Sequence, residues 1–250
     1  MLREGIPNAQ VARTLDIPTG TIGWWWHEDR RRSGTSPGKH LSICPRCNPE
    51  QLPLNREAYS YLLGLYLGDG CICTGAALRK KGVYLLTVAC ADAWPGLMNE
   101  CEAAIHAVMP HKQVFRRKKP GCHYVSSSSK HWPCLFPQHG PGREHERAII
   151  LEPWQQEIVD EFPEKFIRGL IHSDWCRALN SAVRKRDGKT TRYFYSRYHF
   201  TNESADIRAL FTDTLDKLGI EWRYNNPRKN ISIAKRQSVR RLDEFVGPKH

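Results

Sequence analysis

The stretch "YLLGLYLGDG", residues 61–70, is almost wholly apolar and ends on a carboxylate, Asp69. An acid at the C-terminal end of a helix is unfavourable by about 0.3–1 kcal/mol, because the helix dipole is negative there. A second stretch with the same pattern, "FIRGLIHSDW", residues 166–175, carries Asp174 at the corresponding position. Two apolar segments that place an acid at the unfavourable end indicate that these carboxylates serve a purpose other than helix stability.

These segments belong to an internal repeat that covers the chain from about residue 55 onward. Asp69 and Asp174 are 105 residues apart, and so are Lys130 and Lys235, each of which ends a strand pattern. Hydrophobic periodicity predicts one order for both halves: a helix, two strands, a second helix and two more strands. Two pairs of landmarks with the same separation therefore predict an α+β architecture built from two similar halves.

Small residues recur four positions apart in both segments, which places them on one helical face. They are Gly64 and Gly68 in the first segment, and Gly169 and Ser173 in the second. Small residues let two helix backbones approach closely, so packing of the two segments would bring Asp69 and Asp174 together. Neighbouring carboxylates repel each other unless a divalent cation neutralises them, and hard oxygen ligands favour Mg²⁺ or Ca²⁺. The backbone carbonyl groups of Gly68 and Ser173 can supply further oxygen ligands to the cation. The alternative to a metal site is that Asp69 and Asp174 only cap their helices.

The paired segments resemble the LAGLIDADG motifs of homing endonucleases, and the resemblance covers residues 55–250. It implies two pseudo-symmetric αββαββα repeats, residues 55–150 and 151–250, which form a saddle over double-stranded DNA. It also implies a monomer with an internal pseudo-two-fold axis, which binds a long target and hydrolyses phosphodiesters. The implied cofactor is Mg²⁺ or another divalent cation, held by the two motif aspartates.

The same resemblance implies that Lys130 and Lys235 lie at the rims of the two active centres. There they would stabilise charge on the phosphate or organise the attacking water. A contact to the DNA backbone, or a solvated strand end, is the alternative for either lysine. Asp69, Asp174, Lys130 and Lys235 are thus the predicted catalytic residues.

The second motif departs from the family pattern at Trp175, where a glycine generally follows the acid. Glycine permits a left-handed turn and leaves room for metal and phosphate. An indole there could crowd the second centre, restrict cleavage to one strand, or mark a domain that binds DNA without cutting it. One alternative is therefore a transcriptional regulator on a catalytically degenerate LAGLIDADG scaffold. A second alternative, which the resemblance leaves open, is an RNA-binding splicing cofactor.

The chain carries a formal net charge of +12, and its basic residues occur in clusters. These are Arg30–Arg32, Arg79–Lys81, Arg116–Lys119, Arg184–Arg186, Lys235–Arg236 and Arg240–Arg241. Clusters of this kind suit a polyanion, because neutralised phosphates release counterions; an anionic membrane surface is the weaker alternative. No apolar run approaches the roughly 20 residues that span a bilayer. We therefore expect a soluble, cytoplasmic protein of the bacterial nucleoid with no membrane partner.

Residues 1–32 contain a pattern of two short helices joined by a tight turn. We expect Asn8 and Thr19 to cap them, with an apolar interface made by Val11, Ala12, Leu15, Ile22 and Trp25. The pattern resembles the helix-turn-helix of bacterial regulators and resolvases, although Asp16 replaces the usual turn glycine. Its candidate DNA contacts are Thr19, Thr21, Arg30 and Arg31. The alternative is a helical hairpin that only packs on the main domain.

Residues 33–54 have the composition of a linker and include a C-x-x-C pair, Cys44 and Cys47. This spacing lets one turn present two thiolates to a zinc ion, but it supplies only half of a tetrahedral site. We expect Cys134 and His139 to complete a structural Zn²⁺ site, with His131 and His145 as nearby candidates. A turn with reduced cysteines and a redox pair are the alternatives.

Polar residues in the strand segments are candidates for reading base edges, since a two-stranded ribbon fits the major groove. The candidates are Arg79, Lys80, Arg116, Arg117, Ser126, Ser128, Arg192, Tyr195, Arg197, Asn225 and Arg228. Which of them share a face depends on strand register, because a shift of one residue moves every side chain to the opposite face.

Overall fold

The computed structural model describes residues 6–32, 44–187, 189–225 and 229–247. It divides into two compact units, Met1–Ile43 and Cys44–His250. The linker residues 33–43 lie outside the described residues. Within the described ranges, no helix is both long enough and apolar enough to cross a membrane.

The N-terminal unit contains two helices, α1 (Asn8–Leu15) and α2 (Thr19–Arg32). Pro7, not Asn8, occupies the N-cap position of α1, and no side chain caps that helix. Asp16 ends α1 in the left-handed conformation, with φ 52°, at the turn position where glycine is favoured. The turn therefore forms as the sequence predicts, while the expected Asn8 cap is wrong.

The core of this unit is smaller than the sequence pattern predicts. Val11, Ala12 and Ile22 are buried together, as expected. Leu15 is 48% exposed and Trp25 is 44% exposed, so the expectation that both face inward is wrong. Leu15 is the last residue of α1, which ends at Asp16, so its side chain lies at the edge of this small core.

The first repeat of the larger unit begins with a long buried helix and continues through an antiparallel sheet. Its elements are α3 (Arg56–Asp69), β1 (Gly70–Cys73), α4 (Ala76–Arg79), β2 (Tyr84–Ala91), α5 (Pro95–Val108), β3 (Val114–Lys119), β4 (Cys122–Ser129) and α6 (Trp132–Leu135). Asn55 caps α3 by accepting a hydrogen bond from the Ala58 amide.

The second repeat has the same order with longer strands at its start. Its elements are α7 (Pro153–Glu161), α8 (Pro163–Ser173), β5 (Trp175–Arg186), β6 (Lys189–Thr201), α9 (Ala205–Lys217), β7 (Arg223–Asn225), β8 (Asn230–Ile233) and α10 (Arg236–Val246). The strand order is β1-β2-β4-β3 in one sheet and β5-β6-β8-β7 in the other, with every pairing antiparallel. The predicted fold of two αββαββα repeats is confirmed.

Each sheet has an inner face, packed on the helices, and an outer face that points away from them. Leu86, Val88 and Val125 mark the inner face of the first sheet, and Tyr198 and Phe200 mark that of the second. Side chains alternate between faces along a strand. The hydrogen-bonded register therefore assigns a face to each strand residue.

The motif helices α3 and α8 pack with their backbones in direct contact. A Cβ atom built on Gly64 would lie 2.4 Å from the Phe166 carbonyl oxygen, and one on Gly169 would lie 2.2 Å from the Tyr61 carbonyl oxygen. The Gly64 and Gly169 backbones therefore face each other with no space for a side chain. The close approach expected from the spacing of small residues is confirmed.

Gly64→Ala is expected to destabilise the larger unit, because the added methyl group must push α3 and α8 apart. Overpacking of this kind lowers the free energy of unfolding by about 1–3 kcal/mol or more. Gly75→Ala is the matched control, since nothing lies within 4 Å of a Cβ built on Gly75. Urea denaturation of both variants measures the difference, and an equal loss in both would contradict the packing argument.

Candidate functional site

The C-terminal ends of α3 and α8 bring the two motif aspartates to one place. A Cβ built on Gly68 would lie 1.9 Å from the Ser173 hydroxyl oxygen and 3.5 Å from Oδ2 of Asp174. Asp69 directly follows Gly68 and ends α3, and its side chain is exposed. The two acids therefore lie at the same end of the helix pair, as expected.

Asp174 is held by groups that follow β6. Its carboxylate accepts a 2.5 Å hydrogen bond from the Asn202 amide, and its backbone carbonyl accepts one of 3.3 Å from the Thr201 N–H. A cleft of about 240 Å³ opens beside it, lined by Gly68, His145, Asp174, Thr201, Asn202, Glu203 and Ser204. Sequence reasoning missed Asn202 and Glu203 and treated His145 only as a zinc candidate, because nothing in the sequence links them to Asp174.

The oxygen atoms at this end of the seam suit a hard divalent cation. Asp69 and Asp174 supply carboxylates, which are ligands that Mg²⁺ and Ca²⁺ prefer. The Ser173 hydroxyl donates within its own helix, to the carbonyls of Gly169 and Leu170, so only its backbone carbonyl suits the role expected of it. The donor set therefore fits the predicted cation.

Lys130 does not lie at the rim of this site. Asp69 directly precedes Gly70, which pairs with Val88, whereas Lys130 follows Ser129, which pairs with Tyr84. The two partners in β2, Val88 and Tyr84, are four residues apart, or about 13 Å along the strand. The expected placement of Lys130 beside the acid is wrong, because β4 runs away from Asp69.

Lys235 is displaced from Asp174 in the same way. Asp174 precedes Trp175, which pairs with Phe200, while Lys235 lies two residues beyond Ile233, which pairs with Tyr198. Lys235 forms an ion pair with Glu221 and lines a different cleft, of about 520 Å³, with Arg197, Glu221, Trp222, Arg223, Asn225, Ser232 and Ala234. The expected catalytic position of Lys235 is therefore wrong as well.

Register separates the candidate DNA contacts of the first sheet. Arg116 pairs with Val125 on the inner face and binds Glu102 and Asn99 of α5 at 2.6–2.9 Å, so its expected DNA contact is wrong. Arg117 is on the outer face, where its guanidinium lies 5.7 Å from the centre of the Tyr124 ring.

The two serine candidates of β4 lie on the outer face but differ in exposure. Ser126 is fully buried and shares a 3.0 Å hydrogen bond with Thr87, which contradicts a base-reading role. Ser128 is half-buried. Arg79 and Lys80, in the connection between β1 and β2, are exposed.

The second sheet places its candidates on both faces. Tyr195 and Arg197 are on the outer face, and Asn225 joins them through its pairing with Asn230 of β8. Arg192 pairs with Val183 on the side of the inner face, so it and Tyr195 lie on opposite faces of the sheet. Arg228 lies outside the described residues.

The candidate contacts of the N-terminal unit lie on α2. Thr19 is its first residue and is exposed, and Thr21 is half-buried. The side chains of Arg30 and Arg31 lie outside the described part of the structure. DNA docking by this helix stays a prediction.

A cluster of cysteine and histidine lies near the start of α3. Ligand atoms of Cys44, Cys47, His131 and Cys134 are all within 4.8 Å of one another. His139 is not part of it; its ring packs edge-on against Tyr84, and burial together with Arg147 lowers its pKa. The three expected cysteines come together, but the fourth residue of the cluster is His131, and the choice of His139 is wrong.

Comparisons with known proteins give likenesses of fold at low sequence identity. No protein-family model matches the sequence, and no curated protein matches it significantly. A mesophilic variant of the homing endonuclease I-DmoI is similar, with 13% identity and a TM-score of 0.49, over 76% of this chain and 96% of that one.

Two further structures are similar to the same degree. Full-length DUF199/WhiA from Thermotoga maritima has 13% identity and a TM-score of 0.45, over 81% of this chain and 60% of its own. The LAGLIDADG meganuclease I-AabMI, bound to uncleaved DNA, has 12% identity and a TM-score of 0.46, over 75% and 82%. Because every TM-score is below 0.5, we assign neither family nor activity from these likenesses.

Proposed function

We propose that the protein is a sequence-specific, divalent-metal-dependent endonuclease that acts as a monomer on a long double-stranded DNA target. The observation that carries the proposal is the meeting of Asp69 and Asp174 at the end of a helix pair that has no space for side chains. A core helix gains nothing from an acid at that end. Two such acids at one end of the helix pair, with a cleft beside Asp174, are better explained by a shared cation.

The outer faces of the sheets supply a surface suited to a DNA backbone. Cationic side chains there lie over aromatic rings: Arg117 and Lys119 contact Tyr124, and Arg197 contacts Tyr195. Aromatic contacts of this kind hold long cationic side chains in place on the outer face. Together with the net charge of +12, this surface favours phosphate binding with release of counterions.

The proposed chemistry assigns distinct tasks to the residues around Asp174. Its hydrogen bond from Asn202 fixes the orientation of the carboxylate, and the imidazole of His145 lines the same cleft. Mg²⁺ held by the aspartates and the Gly68 and Ser173 carbonyls would activate water and stabilise the leaving oxygen. The second proposed cofactor is a structural Zn²⁺ at the cysteine–histidine cluster.

A DNA-binding regulator that does not cut is the second candidate. Trp175 favours it, because an indole follows the acid where a glycine would leave room for phosphate. The displacement of Lys130 and Lys235 also removes two groups that would have supported cleavage. In this alternative these lysines bind the DNA backbone and the acids have no catalytic task.

Arg117→Ala is expected to weaken DNA binding, and Arg116→Ala is its matched control. The two residues are adjacent but face opposite sides of β3. Loss of one phosphate contact should reduce the slope of log K against log salt concentration by about one. Titration of a 30-base-pair duplex over a range of salt concentrations measures this slope. An equal effect of both variants would contradict the assignment of faces.

Asp69→Asn and Asp174→Asn are each expected to slow cleavage, most strongly of opposite strands, while DNA binding persists. A metal-assisted step loses several kcal/mol without its carboxylate, or a rate factor on the order of 10²–10³. Strand-specific end labels on the DNA that flanks the gene, incubated with Mg²⁺, report each cut. If the wild type binds this DNA tightly and cuts neither strand, the endonuclease proposal fails and the regulator remains.

Trp175→Gly tests whether the indole crowds the second centre. We expect the wild type to cut one strand more slowly than the other, and the glycine variant to bring the two rates closer together. The same end-labelled duplex measures both rates. Unchanged rates for both strands would show that Trp175 does not limit access.

A further inference from the structure

The cysteine–histidine cluster has the dimensions of a tetrahedral zinc site. Cys47 Sγ lies 3.8 Å from Cys134 Sγ and 3.5 Å from His131 Nδ1, and Cys134 Sγ lies 3.6 Å from the same nitrogen. Bond lengths of about 2.3 Å to sulfur and about 2.0–2.1 Å to nitrogen give tetrahedron edges of about 3.8 Å and about 3.6 Å. The observed separations match these edges, and the sulfur atoms are too far apart for a disulfide.

The ligand set also selects the ion. Three thiolates and one imidazole in a closed tetrahedral arrangement are typical of structural zinc. Cys44 and Cys47 come from one turn, while His131 and Cys134 come from the first turn of α6 and the residue before it. The site therefore joins two segments that are more than 80 residues apart in the chain.

The joined segments meet the start of the second repeat at a buried polar network. The Tyr59 hydroxyl donates to the Leu135 carbonyl at the end of α6, and Gln155 of α7 donates to that hydroxyl at 2.7 Å. Arg46, between the two cysteines of the turn, lies over the ring of Trp154, 4.6 Å from its centre. Trp154 in turn contacts Tyr59, with ring centres 5.3 Å apart.

Helix α6 is too short to hold this junction by itself. It has four residues, and isolated helices of fewer than about 12 residues are marginal in water. Its side chains Trp132 and Leu135 are buried in the core, and the Trp132 indole N–H donates to the Ser127 carbonyl. The ligands His131 and Cys134 add a support at its first turn, and Tyr59 and Gln155 add one at its C-terminal end.

We propose that Zn²⁺, held by Cys44, Cys47, His131 and Cys134, is a structural clasp that fixes α6 against α3 and α7 where the two repeats join. The inference rests on the proposed zinc cofactor and is independent of DNA cleavage. Its ligands must be bound as a set, because an ion held by two residues of a turn would not fix α6.

Metal analysis of the purified full chain is the first test. We expect about one zinc per chain, its loss in His131→Ala, and its retention in both His131→Cys and the control His139→Ala. Visible absorption of the Co²⁺-substituted wild type should show tetrahedral coordination with thiolate ligands. Less than about half an equivalent of zinc in the wild type, or loss of zinc in His139→Ala alone, would overturn the assignment.

Thermal unfolding distinguishes a zinc ion that stabilises the fold from one that is bound without an effect on stability. Removal of zinc by a chelator is expected to lower Tm by on the order of 10 °C, and Tyr59→Phe should lower Tm without loss of zinc. An unchanged Tm after zinc removal would overturn the clasp. Asp69→Asn should keep both its zinc and its Tm, so failure of the endonuclease proposal is distinguishable from failure of the clasp.

Discussion

The direct contact of two helix backbones at Gly64 and Gly169 is the constraint on which the larger unit depends. With no side chain between them, α3 and α8 are in backbone contact at this point. The next small pair along the seam, Gly68 and Ser173, continues this close approach to the ends of both helices. The position of Asp69 relative to Asp174 is therefore set by backbone packing. It does not depend on the rotamers of surface side chains.

Much of this arrangement can be predicted from the sequence because it repeats. The spacing of small residues and the alternation of helix and strand patterns occur twice with one separation, and each copy supports the interpretation of the other. Strand register, in contrast, leaves no repeated pattern in the sequence from which it could be predicted. Arg116 and Arg117 are adjacent basic residues in one strand, and only their pairing with Val125 and Tyr124 assigns them to the helix side and the outer side. The family resemblance implied rim positions for Lys130 and Lys235, and the register, which the sequence does not show, places both of them away from the acids.

The proposed zinc ligands show a different limit of sequence reasoning. Cys44 and Cys47 could be identified from the C-x-x-C spacing, which lets one turn present two thiolates to a metal, and Cys134 from its place in a segment rich in histidine. The histidines at 131, 139 and 145 could not be ranked, since α6 is too short to produce a periodic pattern. His131 precedes α6 and lies three residues before Cys134, which places both on one side of its first turn. The structure assigns each of the other two histidines to a different neighbourhood, beside Tyr84 and beside Asp174.

The two acids are equivalent by repeat but not by surroundings. Asn202, which orients Asp174, lies two residues beyond Phe200, the partner of Trp175. The corresponding position in the first repeat lies two residues beyond Val88, and it is Cys90, a buried thiol. The side chain that follows the strand partner therefore differs in chemistry between the repeats, an amide in one and a thiol in the other. Asp69 is exposed whereas Asp174 is half-buried, so a cation shared by both acids would meet two carboxylates in unlike surroundings.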